Sequence, residues 1–134
     1  MTVVTTSRKP VPEVRTLARD LAFSIGAGYV TRGKAGMGDL LSHDEPVLIV
    51  SKFGPFFLVQ VFSGGEPVTE IRVRSFSVEE RSGTIARGLF VSDRSVYEAL
   101  EDHVDVAFAG EALSGHRIVF DGTQRKRYTL KVVP

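Results

Sequence analysis

Between Pro12 and Gly26 the apolar residues Val14, Leu17, Ala18, Leu21, Ala22 and Ile25 fall at offsets of 0, 3, 4, 7, 8 and 11. That spacing puts all six on one stripe of an α-helix. Pro12 suits the first turn, where its missing N–H is no loss, and Gly26 suits the stop. The flanks are extended: Val3–Thr6 is short and β-branched, and Gly28–Thr31 reads as a second short strand. A strand, an amphipathic helix and a strand in succession constrain the chain to an α/β fold, because the apolar stripe needs a sheet to cover it. The opposite face of the helix, with Glu13, Arg15, Arg19 and Asp20, reads as solvated.

Downstream, Arg32-Gly33-Lys34-Ala35-Gly36 is too rich in glycine to be regular, and Met37–Ser42 can form a brief helix. Val47–Ser51 reads as a buried strand, Phe53-Gly54-Pro55 as a turn into a strand over Phe56–Phe62, and Gly64-Gly65 as a turn into Val68–Phe76. In that last strand Thr69, Ile71 and Val73 alternate with Glu70, Arg72 and Arg74, so one face is packed and the other wet. This predicts a three-stranded meander. Ile85–Ser92 reads as a strand broken by Gly88, followed by a helix capped by Asp93 or by Ser95, with Ser95 and Glu98 at capping-box spacing. Val96, Leu100, His103 and Val104 mark its inner face. A short strand over Val106–Ala109 and a hairpin at Asp121-Gly122 complete the chain. Strand, Ser-Arg-Lys loop at 7–9, helix and strand early on are echoed by strand, Ser-Asp-Arg loop at 92–94, helix and strand in the second half. This weak repeat predicts two related α/β halves, about 1–80 and 81–134, in one domain with a mixed β-sheet.

Absences narrow the chemistry. The 134 residues contain no cysteine, which excludes disulfides, thiolate metal sites and cysteine nucleophiles. His43, His103 and His116 lack ligand partners at metal spacing, and His103 reads as half-buried and structural. No nucleophile elbow, phosphate loop or dinucleotide fingerprint is present, and no cofactor is implied. The longest apolar runs are four residues, so no membrane-spanning helix is expected, and the N-terminus does not have the charge order of a secretory signal. The expectation is a cytoplasmic protein.

Net charge is only +1, so bulk charge does not argue for nucleic acid. Its distribution is uneven. Residues 1–34 hold Arg8, Lys9, Arg15, Arg19, Arg32 and Lys34 against Glu13 and Asp20. If the first two strands are parallel neighbours, the Ser7-Arg8-Lys9 loop and the Thr31-Arg32-Gly33-Lys34 loop leave at the same carboxyl edge, where open α/β sheets bind ligands. Hydroxyl, guanidinium and ammonium groups with helix N-terminal amides are what hold phosphates. Six ordinary solvated charges would have the same spacing. Phe53, Phe56, Phe57, Phe62 and Phe76 read as core filling, while Tyr29, between the two basic loops, is the aromatic placed for stacking on a base. Arg125-Lys126-Arg127 offers a second basic contact or, equally, protection of an edge strand.

Thr5-Thr6-Ser7-Arg8-Lys9-Pro10, Arg15, the Leu17–Leu21 pattern and Tyr29-Val30-Thr31-Arg32-Gly33-Lys34 resemble the N-terminal signature of the Brix-domain family of ribosome-biogenesis proteins. The short chain without basic tails is similar to archaeal members. The resemblance implies one Brix domain over 1–134, with two halves each similar to the anticodon-binding domain of class IIa aminoacyl-tRNA synthetases. It implies a non-catalytic role in pre-rRNA processing and subunit assembly through binding of ribosomal RNA or its precursor, with other ribosome-assembly proteins as further partners. The family signature falls on Ser7, Arg8, Lys9, Arg15, Arg32 and Lys34. Glu13 departs from it, where a basic residue is common, as does the stretch around Gly36-Met37. With Arg19 and Tyr29 added by position, these form the expected RNA-binding set. The alternative is a protein-interaction scaffold within a pre-ribosomal particle, with incidental RNA contacts. A small-molecule enzyme is the third reading.

Overall fold

In the computed structural model, which describes residues 2–31 and 45–133, the apolar stripe is where the periodicity puts it. Helix α1 spans Pro12–Ile25, with Pro12 at its start and Gly26 in the left-handed region (φ 68°) at its end. It buries Val14, Leu17, Ala18, Leu21 and Ala22. The strands are β1 (Val3–Thr6), β2 (Gly28–Tyr29), β3 (Val47–Phe53), β4 (Phe56–Ser63) and β5 (Glu66–Glu80). Then follow β6 (Leu89–Val91), helix α2 (Arg94–Leu100), β7 (Val106–Phe108), a 3₁₀ turn at Gly110–Ala112, β8 (Arg117–Asp121) and β9 (Lys126–Val132). The brief helix expected over 37–42 lies outside the described residues.

All nine strands form one mixed sheet in the order β2-β1-β3-β4-β5-β9-β8-β6-β7. β1 is parallel to both β2 and β3, and β6 is parallel to β7, while every other neighbouring pair is antiparallel. The expected meander is β3-β4-β5. With β3 set aside, β2-β1-β4-β5 and β7-β6-β8-β9 have the same order and opposite directions, about the central β5–β9 pair. The repeated unit is therefore strand-helix-strand followed by two antiparallel strands, and β3 is the addition in the first half. It is buried on both faces from Val47 to Val50, which explains its unbroken apolar run.

The sheet curls around α1 and α2. α1 packs against β1, β2 and β3 and also against β8, four places from β3 in the sheet, while α2 packs against β5, β6 and β7. Leu21 of α1 and Leu100 of α2 meet Leu48, Val59, Ile71, Leu89, Ile118 and Leu130 around one point, so the two halves share a single core.

Several local expectations fail for tertiary reasons. Asp20, assigned to the solvent face, is 2% exposed. Its carboxylate accepts hydrogen bonds from the Thr123 N–H (3.1 Å), the Thr123 hydroxyl (2.7 Å) and the Tyr128 hydroxyl, fastening α1 to the β8–β9 hairpin. Gly122 is needed there because a Cβ would stand 2.8 Å from Asp20. The left-handed residues of the turn are instead Gln124 and Arg125. The Ser95–Glu98 capping box does not form: Asp93 is the N-cap of α2, and its carboxylate is 2.7 Å from His116 Nδ1. The strand expected from Ile85 begins only at Leu89, and β5 runs on to Glu80 because β9 pairs with its second half. Phe57 is buried and Phe76 packs edge-on to it, but Phe53 is 72% exposed at the β3–β4 turn.

Candidate nucleic-acid interface

The first basic loop is placed by two constraints. The Ser7 N–H donates to the Val50 carbonyl (3.1 Å), holding the end of β1 on β3, and Pro10 forbids further strand. The reversal between them puts Lys9 in the left-handed region (φ 50°), a conformation that costs a non-glycine residue about 1 kcal/mol. α1 then starts without a side-chain cap, leaving the positive end of its dipole beside the loop. Glu13, the acid in that first turn, is held by Lys52 at 3.2 Å.

β1 and β2 are parallel neighbours, with Val3 opposite Gly28 and Val4 opposite Tyr29. The chain after β1 and the chain after β2 therefore leave the sheet at one edge, as a shared site requires. The Thr5 hydroxyl donates to the Val30 carbonyl at 2.6 Å and ties the two exits together. Between them and α1 lies an open cleft of about 330 Å³ lined by Thr6, Lys9, Pro10, Arg15, Arg19, Tyr29 and Thr31. Arg15 and Arg19, one helical turn apart, share the cleft face of α1. The Arg19 guanidinium lies 5.6 Å from the centre of the half-buried Tyr29 ring, a cation–π distance. Arg8, Lys9, Arg15 and Arg19 are exposed and Ser7 is half-buried. Arg32 and Lys34 lie outside the described residues.

The second basic run behaves differently. Arg127 donates from Nε to Asp121 at 2.9 Å, so its charge is engaged. Burial alone would raise the Asp121 carboxyl. Hydrogen bonds from Arg127 and the Ala86 N–H, with the charges of Arg127 and Arg81, hold it below the usual carboxylate value. β9 is a central strand, so protection of an edge does not explain these residues. Near Asp20, burial first and the hydrogen bond to Asp20 second push the Tyr128 hydroxyl far up, so it stays a neutral donor. Among the described residues no group of three or more His, Asp or Glu side chains could hold a metal ion, and no helix is long and apolar enough to cross a membrane.

The described residues thus form a mixed α/β sheet with α1 and α2 on its concave side and a cationic cleft at the carboxyl edge of its first parallel pair. Among solved structures, the archaeal Imp4-like protein Mil (Mth680) is similar to it over 97% of this chain and 95% of that chain, with a TM-score of 0.65 and 19% identity. The chain has that fold, which agrees with the resemblance noted in its N-terminal segments. No family model matches the chain, and no curated protein matches it.

Proposed function

We propose that the protein is a non-catalytic ribosome-biogenesis factor that binds ribosomal RNA or its precursor and assists its processing and subunit assembly. The observation that carries this reading is the cleft. Lys9, Arg15 and Arg19 converge there with threonine hydroxyls and an aromatic ring at the edge where parallel strands end. Cations and hydroxyls so arranged hold a phosphate backbone, and the Tyr29 ring supplies a face for an unpaired base. Arg8 and Ser7 extend the contact along the loop, and Arg32 and Lys34 belong to it by the sequence resemblance. Likeness in fold to an archaeal Imp4-like protein favours the same assignment. We read the chain as one Brix-type domain whose halves, about 1–80 and 81–134, are each similar to a class IIa anticodon-binding domain, and as cytoplasmic.

Fluorescence anisotropy with structured ribosomal RNA fragments at two salt concentrations tests the reading. Four phosphate contacts give a logarithmic salt slope of roughly −3. An Arg8→Ala, Lys9→Ala, Arg15→Ala, Arg19→Ala variant that keeps its circular dichroism should lose that binding. Equal binding by both proteins moves the RNA surface elsewhere. No binding by the wild type favours a scaffold that meets a protein partner first.

A further inference from the structure

Arg15 and Arg19 are successive members of an exposed helix stripe whose next position, four residues on, is Phe23. No charge is encoded there. The fold supplies one from the second half of the chain: the Arg87 guanidinium lies 4.4 Å from the centre of the Phe23 ring, and its Nη1 donates to the Phe23 carbonyl at 2.8 Å. Guanidinium groups therefore stand at three consecutive positions along α1, each step about 6 Å at four residues of 1.5 Å rise. Lys9 precedes them at the near end.

Along α1, among the described residues, no exposed carboxylate stands between the members of the ridge. From Arg15 to Phe23 the exposed or half-exposed positions of α1 are Arg15, Thr16, Arg19 and Phe23, and the single carboxylate of that stretch, Asp20, is turned inward and satisfied by Thr123 and Tyr128. Glu13, ahead of the ridge, is held by Lys52. Arg87 is also placed in advance. The neighbouring Gly88 donates its N–H to the Ser24 carbonyl (2.8 Å) and accepts the Ser24 hydroxyl at its own carbonyl (3.1 Å), so the backbone beside Arg87 is pinned to the end of α1. The carboxyl of Asp105 packs against Gly88, and the ridge goes no further.

We propose that Arg87 is the far contact of a cationic ridge, Lys9–Arg15–Arg19–Arg87, on which the phosphodiester backbone of an RNA strand lies along α1. The inference rests on the RNA reading and deepens it. The strand follows the helix from the cleft toward the second half, and the second half contributes to the site through this residue. A guanidinium that only capped the helix end would make the same two contacts with Phe23, so the test must read RNA at Arg87 itself.

The guanidinium Nε–Hε signals of the wild-type protein are followed by NMR during titration with a twelve-nucleotide oligouridylate, which a backbone contact accepts regardless of sequence. The Arg15, Arg19 and Arg87 signals should shift together with one apparent Kd. Arg87→Ala should weaken binding about three- to ten-fold and make the logarithmic salt slope shallower by about 0.7, with Arg87→Lys recovering most of the slope. Shifts at Arg15 and Arg19 with Arg87 stationary overturn the proposal and leave the RNA reading standing. No salt-sensitive binding by the wild type overturns both. The wild-type titration decides the matter even where the alanine variant unfolds.

Discussion

The β1-α1-β2 unit and the β6-α2-β7 unit occupy equivalent places in the two halves, and their surfaces are opposite. Each passes from a strand through a serine-containing loop into a helix and returns to a parallel strand. Each lays a guanidinium over an aromatic of its outer strand, Arg19 over Tyr29 and Arg94 over Phe108. The first unit then adds Lys9 and Arg15. The second has Asp93 engaged by His116, and exposed Glu98, Glu101 and Asp102 in and just after α2. Backbone topology is shared, so on the RNA reading it cannot be what selects the strand. The side chains on the first half's edge make that difference, and the near-zero net charge of the whole chain conceals it.

The join between the halves is the place to break the comparison hardest. Asp20→Ala removes a buried carboxylate from three donors and leaves the buried Tyr128 hydroxyl without its acceptor. Urea unfolding should show a loss of about 3 to 4 kcal/mol. A loss below about 1 kcal/mol would mean that the shared apolar core alone holds α1 to the second half. Next in size, Arg15→Glu with Arg19→Glu should weaken RNA binding by about 30-fold or more, while Glu98→Arg with Glu101→Arg should leave it within about two-fold. Equal losses from the two pairs would end the assignment of binding to the first unit.

A smaller effect sharpens the second half. The Asp121 carboxyl is held below its unfolded value, so its contribution is present above about pH 4 and disappears as the pH falls through the folded value. Asp121→Asn should cost about 2 kcal/mol at pH 7. Its deficit relative to wild type should shrink in urea titrations below about pH 3.5, and a pH-independent deficit would remove the charge from the explanation. The smallest effect is Ser95→Ala. A working capping box would make it cost about 1 kcal/mol. With Asp93 as the N-cap, the thermal midpoint should move by no more than about 2 °C.

What was legible in the sequence was local. The period of α1, its proline start and glycine stop, the meander and the placement of the basic loop after β1 all follow from neighbours within a few residues. Parallel pairing of β1 and β2 was an assumption, and the backbone register supplies it. The misreadings share a cause. Asp20 looks solvated because its partners are 103 and 108 residues away, and the contact of Arg87 with α1 goes unread because that helix is 64 residues earlier. Phe53 has the apolar neighbours of a core residue, yet β3 ends on a tight turn that leaves it in water. Ser95 and Glu98 have capping spacing, but the helix begins two residues too early for them to use it.

The bond between Asp20 and the last hairpin has a consequence for the order of events at synthesis. The helix that carries the cationic ridge is made first, while Thr123 and Tyr128, which seat it, follow 103 and 108 residues after Asp20. Contacts so distant along the chain form late and slowly. A nascent chain, or one cut short before residue 123, has every cation of the ridge and lacks the bonds that hold the helix against the far half. On the RNA reading, the ridge is therefore held in its binding geometry only once Thr123 and Tyr128 have been made.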